Sequence, residues 1–87
     1  MTVYVDVLMN HGWKLRGHPT KNCHMFTDGD IEELHKMAEA IGMKRSWFQD
    51  KRIKHYDLHA RRRQKAVELG AVEVSRREAV KIWQTLK

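Results

Sequence analysis

Thr2-Val3-Tyr4-Val5-Asp6-Val7-Leu8 alternates Val3, Val5 and Val7 on one side with Tyr4 and Leu8 on the other. A strand that is apolar on both sides needs cover on both faces, so this stretch predicts a central strand with helices above and below. Asp6 is the exception. A carboxylate on a buried strand requires a specific partner, because an ionised group stripped of water without one is very costly.

Working outward, Asn10 to Lys21 carries Gly12, Gly17 and the sole proline, Pro19, and reads as a long polar loop. Cys23 to Phe26 reads as a second short strand, with His24 at the opposite parity to Cys23 and Met25. Thr27 to Asp30 has capping-box spacing and opens a helix with Thr27 as N-cap. Ile31, Leu34, Ala38 and Ile41 form its buried stripe, and Gly42 is its stop. Ser46 to Gln49 reads as a third strand and Asp50 to Lys54 as a charged loop. Asp57 reads as the cap of a second helix ending at Gly70. Ala71 to Val74 makes a fourth strand. Ser75-Arg76-Arg77-Glu78 is a second capping box, before a helix with Ala79, Ile82, Trp83 and Leu86 on its apolar face. The order β-β-α-β-α-β-α over residues 1–87 predicts one α/β domain, with a mostly parallel or mixed four-stranded sheet flanked by helices in two or three layers.

At 87 residues, the chain can bury about 60–65% of the surface it exposes when unfolded, so a homo-oligomer is an open expectation. No apolar run approaches the roughly 18 residues of a membrane span. The N-terminal stretch lacks a basic n-region and does not read as a signal peptide. The single cysteine, Cys23, excludes an internal disulfide and a multi-cysteine zinc site, and a cytoplasmic protein is expected. The net charge of +6 is uneven. Residues 44–65 hold nine Lys/Arg against two Asp/Glu, whereas residues 1–43 hold four against six. Such a basic segment suits an anionic partner, a nucleotide, phosphate or nucleic acid, and equally a solvated surface.

Lys54-His55-Tyr56-Asp57-Leu58-His59-Ala60-Arg61-Arg62-Arg63 concentrates the chemistry. At about 100° per residue from Leu58, Arg62 falls at about 40°, between Leu69 at about 20° and Ala66 at about 80°. An inward arginine needs an anion, so Arg62 either pairs with Asp6 or Asp57 inside the fold or meets a ligand, with Arg63 beside it. His24, His55 and Asp57 each fall where one predicted element gives way to another, and in parallel sheets ligands collect at such places. With Asp6 they make a set adequate for a divalent metal, or for general acid and base work on a phosphoester. His35 reads as a packing residue, and His59 is undecided. His11 and His18 in the long loop could close over a ligand. Of Trp47, Phe48 and Tyr56, the first two read as core and Tyr56 as the accessible ring.

Val3-Tyr4-Val5-Asp6, Cys23-His24-Met25, Glu33-Leu34-His35, Trp47-Phe48-Gln49, His55-Tyr56-Asp57 and Gly70-Ala71 together resemble a small bacterial and phage family of unknown function, DUF4031. The resemblance covers nearly the whole chain. It implies a bacterial or phage-infected cytoplasm and a shared polar site at His24, His55, Tyr56, Asp57 and Arg63, with Arg62-Arg63 matching a basic pair of the family. It brings no reaction. His24-Met25-Phe26-Thr27 also lacks the spacing and second copy of two-histidine phosphoesterases. The resulting expectation is an α/β protein binding a nucleotide or another phosphorylated small molecule, with phosphoester hydrolysis and binding without turnover both open. His24, His55 and Asp57 would act on that ligand, and Asp6, Tyr56, Arg62 and Arg63 would hold it. A non-enzymatic nucleic-acid-binding or phage–host interaction protein is the alternative.

Overall fold

Strand β1 (Val3–Val5) sends Val3 and Val5 to one face and Tyr4 to the other, as its alternation dictates. A computed structural model of the chain describes residues 2–15 and 18–86, with side chains for residues 2–9 and 21–86. In it, β2 (Met9–Leu15) and β3 (His18–Thr27) follow β1 as an antiparallel hairpin. Helix α1 (Ile31–Ala40), a 3₁₀ turn (Arg45–Trp47), strand β4 (Tyr56–His59), helix α2 (Ala60–Glu68), strand β5 (Val72–Glu73) and helix α3 (Arg76–Thr85) complete the chain.

The long strand β3 is the spine of the sheet. On one edge it pairs antiparallel with both β1 and β2, and on the other antiparallel with β4. Strand β5 lies parallel to β1. The domain is therefore α/β with a mixed sheet flanked by helices. Its strands differ from the expected set at three places. Of the stretch read as a loop, residues 10–15 lie in β2 and residues 18–21 in β3. Glycine and proline suggested a loop, but antiparallel pairing supplied what the polar sequence did not advertise. His11 and His18, expected over a ligand, have side chains outside the described residues. Ser46 to Gln49 is not a strand but the 3₁₀ turn and its exit, joined to the sheet only by a bridge between Gln49 and His55. Asp57 does not cap α2. Tyr56 and Leu58 turn inward while Asp57 and His59 do not, a period of two that makes 56–59 a strand. His59 takes the N-cap position of α2 without a side-chain cap bond.

The two faces of the sheet hold separate cores. Val3, Val5, Cys23, Met25, Tyr56 and Leu58 face α1 and α2, where Leu34, Ala38 and Ala66 meet them. Phe26 and Tyr4 face the other way, against Val74, Ala79, Ile82 and Trp83 of the α3 side. The helix ends are set locally. Asp30, not Thr27, caps α1, its carboxylate accepting the Glu32 N–H at 3.0 Å, while the Thr27 hydroxyl accepts from Gly29. Gly42 ends α1 with φ +87°, a conformation that strains residues bearing a Cβ. Ser75 and Glu78 form the full capping box of α3.

Candidate functional site

Antiparallel register creates the site. His24 on β3 lies directly opposite Asp57 on β4, and His55 is two residues before Asp57, on the same face of the sheet. Opposed residues in such a ladder have Cβ atoms only about 4.5–5.5 Å apart, so their side chains must interact. The Asp57 Oδ1 atom stands 3.9 Å from His24 Nε2 and 3.5 Å from His55 Nε2. The two imidazoles meet edge to face, with centroids 5.0 Å apart. Trp83 of α3 stands edge-on to His24 at 5.7 Å.

Asp6 answers the puzzle of its own burial. Where β1 leaves the ladder, its Oδ1 accepts the backbone N–H of His24 at 2.6 Å and its Oδ2 pairs with His24 Nδ1 at 2.9 Å. The carboxylate thus continues the β1–β3 ladder by one rung with Oδ1 and orients the imidazole with Oδ2. That hydrogen bond raises the His24 pKa above its ordinary value, with burial opposing and the Asp6 and Asp57 charges assisting. Arg76 lies close enough to His24 to oppose its protonation.

Each remaining group is also fixed from behind. His55 Nδ1 lies 2.7 Å from the Ile53 carbonyl, which can only accept, so this nitrogen carries the proton and Nε2 faces Asp57. Paired backbone bonds between Gln49 and His55, at 2.9 and 3.2 Å, close the intervening loop. The Gln49 side-chain amide donates to Asp57 Oδ2, leaving Oδ1 for the histidines. Exposure of the four side chains is 28% for His24, 7% for Asp6, 12% for His55 and 11% for Asp57, so the cluster opens to solvent chiefly past His24. Among the described residues, His24, His55 and Asp57 are the one group of three potential metal ligands whose donor atoms lie within 4.8 Å of one another.

The remaining expected site residues go elsewhere. Tyr56 is fully buried and its hydroxyl lies 2.7 Å from His35 Nδ1, so it is the inaccessible ring of the three aromatic residues. Trp47, read as core, is 43% exposed. Arg63 donates from Nε to the Asp6 carbonyl at 2.9 Å and from Nη1 to Glu73 at 2.8 Å, a clamp between β1 and β5. The internal pairing considered for Arg62 is not formed. Its guanidinium lies over the Trp47 ring at 5.3 Å, and no carboxylate pairs with it among the described residues. Arg62 and Trp47 line a cleft of about 390 Å³ along the outer edge of β4, together with Met43, Gln49, Asp57 and His59. Asp57 therefore belongs to both the imidazole cluster and this cleft. Gln49 carried no signal of its role, which depends on the bridge that joins it to His55, and Trp47 reads as core because nothing local marks the turn that exposes it.

Fold and site together define a small α/β domain whose sheet carries a histidine–carboxylate cluster on one face. The chain belongs to the family described as protein of unknown function (DUF4031), whose model matches residues 3–86. No curated protein and no solved structure matches it. Among the described residues, no helix is long and apolar enough to cross a membrane.

Proposed function

We propose that the domain binds a phosphorylated small molecule, a nucleotide or a derivative of one, in the cleft at the edge of β4. The observation that carries this reading is Arg62: a half-buried guanidinium, stacked on Trp47 and lacking a carboxylate partner among the described residues, in a cleft that also holds Asp57, the carboxylate that His24 and His55 approach. Stacking occupies the face of a guanidinium and leaves its in-plane N–H groups to grip an oxyanion in bidentate fashion. Two imidazoles and a carboxylate next to a bound phosphate are the groups that phosphoester hydrolysis employs, as proton carriers or as ligands of an ion that activates water.

Calorimetric titration of mononucleotides and dinucleotides into the wild type and Arg62→Ala tests the reading. Saturable binding by the wild type is expected, weakened in the variant by about 10–100-fold, the worth of a charge-assisted hydrogen-bonded contact. No binding by either protein, or equal binding by both, removes the idea. Neutralising Lys51, Arg52 and Lys54 together should leave nucleotide affinity nearly unchanged. If that variant instead loses more affinity than Arg62→Ala, with a steep salt dependence, the partner is a nucleic-acid polymer.

A further inference from the structure

Two imidazoles and a carboxylate approach one point, and the contacts behind them determine which atoms they present. The Asp6 carboxylate and the Ile53 carbonyl are acceptors, so the Nδ1 atoms of His24 and His55 carry their protons. In the neutral tautomer so fixed, Nε2 is the basic nitrogen of each ring. Gln49 occupies Asp57 Oδ2, and Oδ1 is the carboxylate oxygen turned towards the imidazoles. These three donor atoms lie within 4.8 Å of one another, close enough for one positive charge to attract all of them. A proton can supply that charge for one pair of atoms, whereas a divalent cation supplies it for all three at once.

We infer that His24, His55 and Asp57 bind one divalent transition-metal ion of the zinc type. Three features agree on this class. Two neutral imidazoles and one carboxylate form a nitrogen-rich set that suits Zn²⁺, Co²⁺, Fe²⁺ or Mn²⁺ better than Ca²⁺ or Mg²⁺, which favour all-oxygen shells. Each ligand is held by a hydrogen bond on its far side, the arrangement that fixes tautomer and orientation in metal sites. Among the described residues the set comprises three protein ligands, and His24 is 28% exposed, an arrangement that resembles sites that act on a bound molecule. The donor atoms already lie within 4.8 Å of one another, so binding asks for small side-chain adjustments and no change in the sheet. This inference rests on the cluster and needs no occupant in the Arg62 cleft, with which the cluster shares Asp57.

The test is a titration of metal-stripped wild-type chain with Co²⁺, followed by visible absorption, and with Zn²⁺, followed by calorimetry, both without nucleotide. One ion per chain is expected, with ligand-field bands for Co²⁺. Asp57→Asn, which keeps the side-chain shape, and His55→Gln should each weaken binding by at least about 100-fold. Gln49→Ala, which removes an orienting contact and no ligand, should weaken it about 10–100-fold. Imidazole ¹⁵N spectra of the wild type need no substitution, and Zn²⁺ should shift the Nε2 resonances of His24 and His55 together. Failure of the wild type to take up either ion overturns the inference. Uptake that leaves those two resonances unmoved, or that survives Asp57→Asn and His55→Gln unchanged, places the ion elsewhere and overturns it equally. Metal uptake without nucleotide binding would sink only the function proposed above, and nucleotide binding without metal uptake would sink only this site.

Discussion

His24 and His35 lie on opposite sides of the same sheet, each with Nδ1 within 2.9 Å of an oxygen, and they are built for different ends. His35 is buried on α1. It bonds the Tyr56 hydroxyl at 2.7 Å and stands edge-on to Phe48 and Tyr56. Its partner is neutral, and the surrounding rings leave it no route to solvent or to a ligand. His24 is paired with a carboxylate, faces a second one and keeps a solvent-exposed edge. The lesson is that a histidine's role follows from its partner's charge and its remaining exposure, not from being buried near a strand. The same contrast separates neighbours on β3, where Cys23 points into the core and His24 points into the cluster.

That contrast can be broken, beginning with the largest expected effect. Burial pushes the Cys23 thiol up to about 12 from 9.0, with the Asp6 charge assisting, a drop of about three powers of ten in thiolate. Because the neutral thiol is the form favoured by folding, this stabilising contribution is intact below pH 9.0 and fades as pH rises towards about 12. Native protein at pH 8 should therefore resist thiol-directed alkylation that goes to completion in denaturant. Rapid labelling of the folded chain would mean that the inward face of β3 is open.

Asp6→Asn sharpens the other side. Asparagine can still accept the His24 backbone N–H, and the Arg63 clamp holds the residue-6 carbonyl, so the fold should survive. Its amide, however, offers a donor to His24 Nδ1, which moves the ring proton to Nε2. Co²⁺ affinity should fall about 10–100-fold, with the circular dichroism unchanged. Tyr56→Phe is the matched change around His35. It leaves a buried Nδ1 unpaired, at a cost of about 1–2 kcal/mol in denaturant unfolding, and should leave Co²⁺ affinity untouched. If Tyr56→Phe weakened metal binding as much as Asp6→Asn, the two histidines would not be independent and the contrast would fail.

Much of this was readable in the chain. Alternation in Val3-Tyr4-Val5 correctly required cover on both faces, and Ser75 with Glu78 placed the start of α3. The chemistry of Asp6, His24, His55 and Asp57 marked them as a set, yet the reason for their meeting was misread. They converge by cross-strand register in an antiparallel pair, not at the ends of parallel strands. Register is a pairing property, and a four-residue strand beside a convincing helix cap does not declare it. Asp57 looked like that cap because strand and helix abut at His59 and Ala60, with no intervening loop to separate their signals. Helical spacing places Arg62 between Leu69 and Ala66, but nothing local in the sequence marks the 3₁₀ turn that brings the exposed Trp47 ring beneath its guanidinium.

The outward positions of β4 form a series of potential ligands, His55, Asp57 and His59, spaced two apart. A two-residue slip of β4 along β3 would keep Tyr56 and Leu58 on the inward side. It would nonetheless seat a different member of the series opposite His24. Hydrophobic burial discriminates strongly against a one-residue slip and only weakly, through side-chain size, against this one. The tie between Gln49 and His55 sets the length of chain paid out before β4 begins. Insertions or deletions within residues 50–54 thus offer an evolutionary route to a new ligand set on an unaltered scaffold, in which loop length rather than point substitution selects the chemistry.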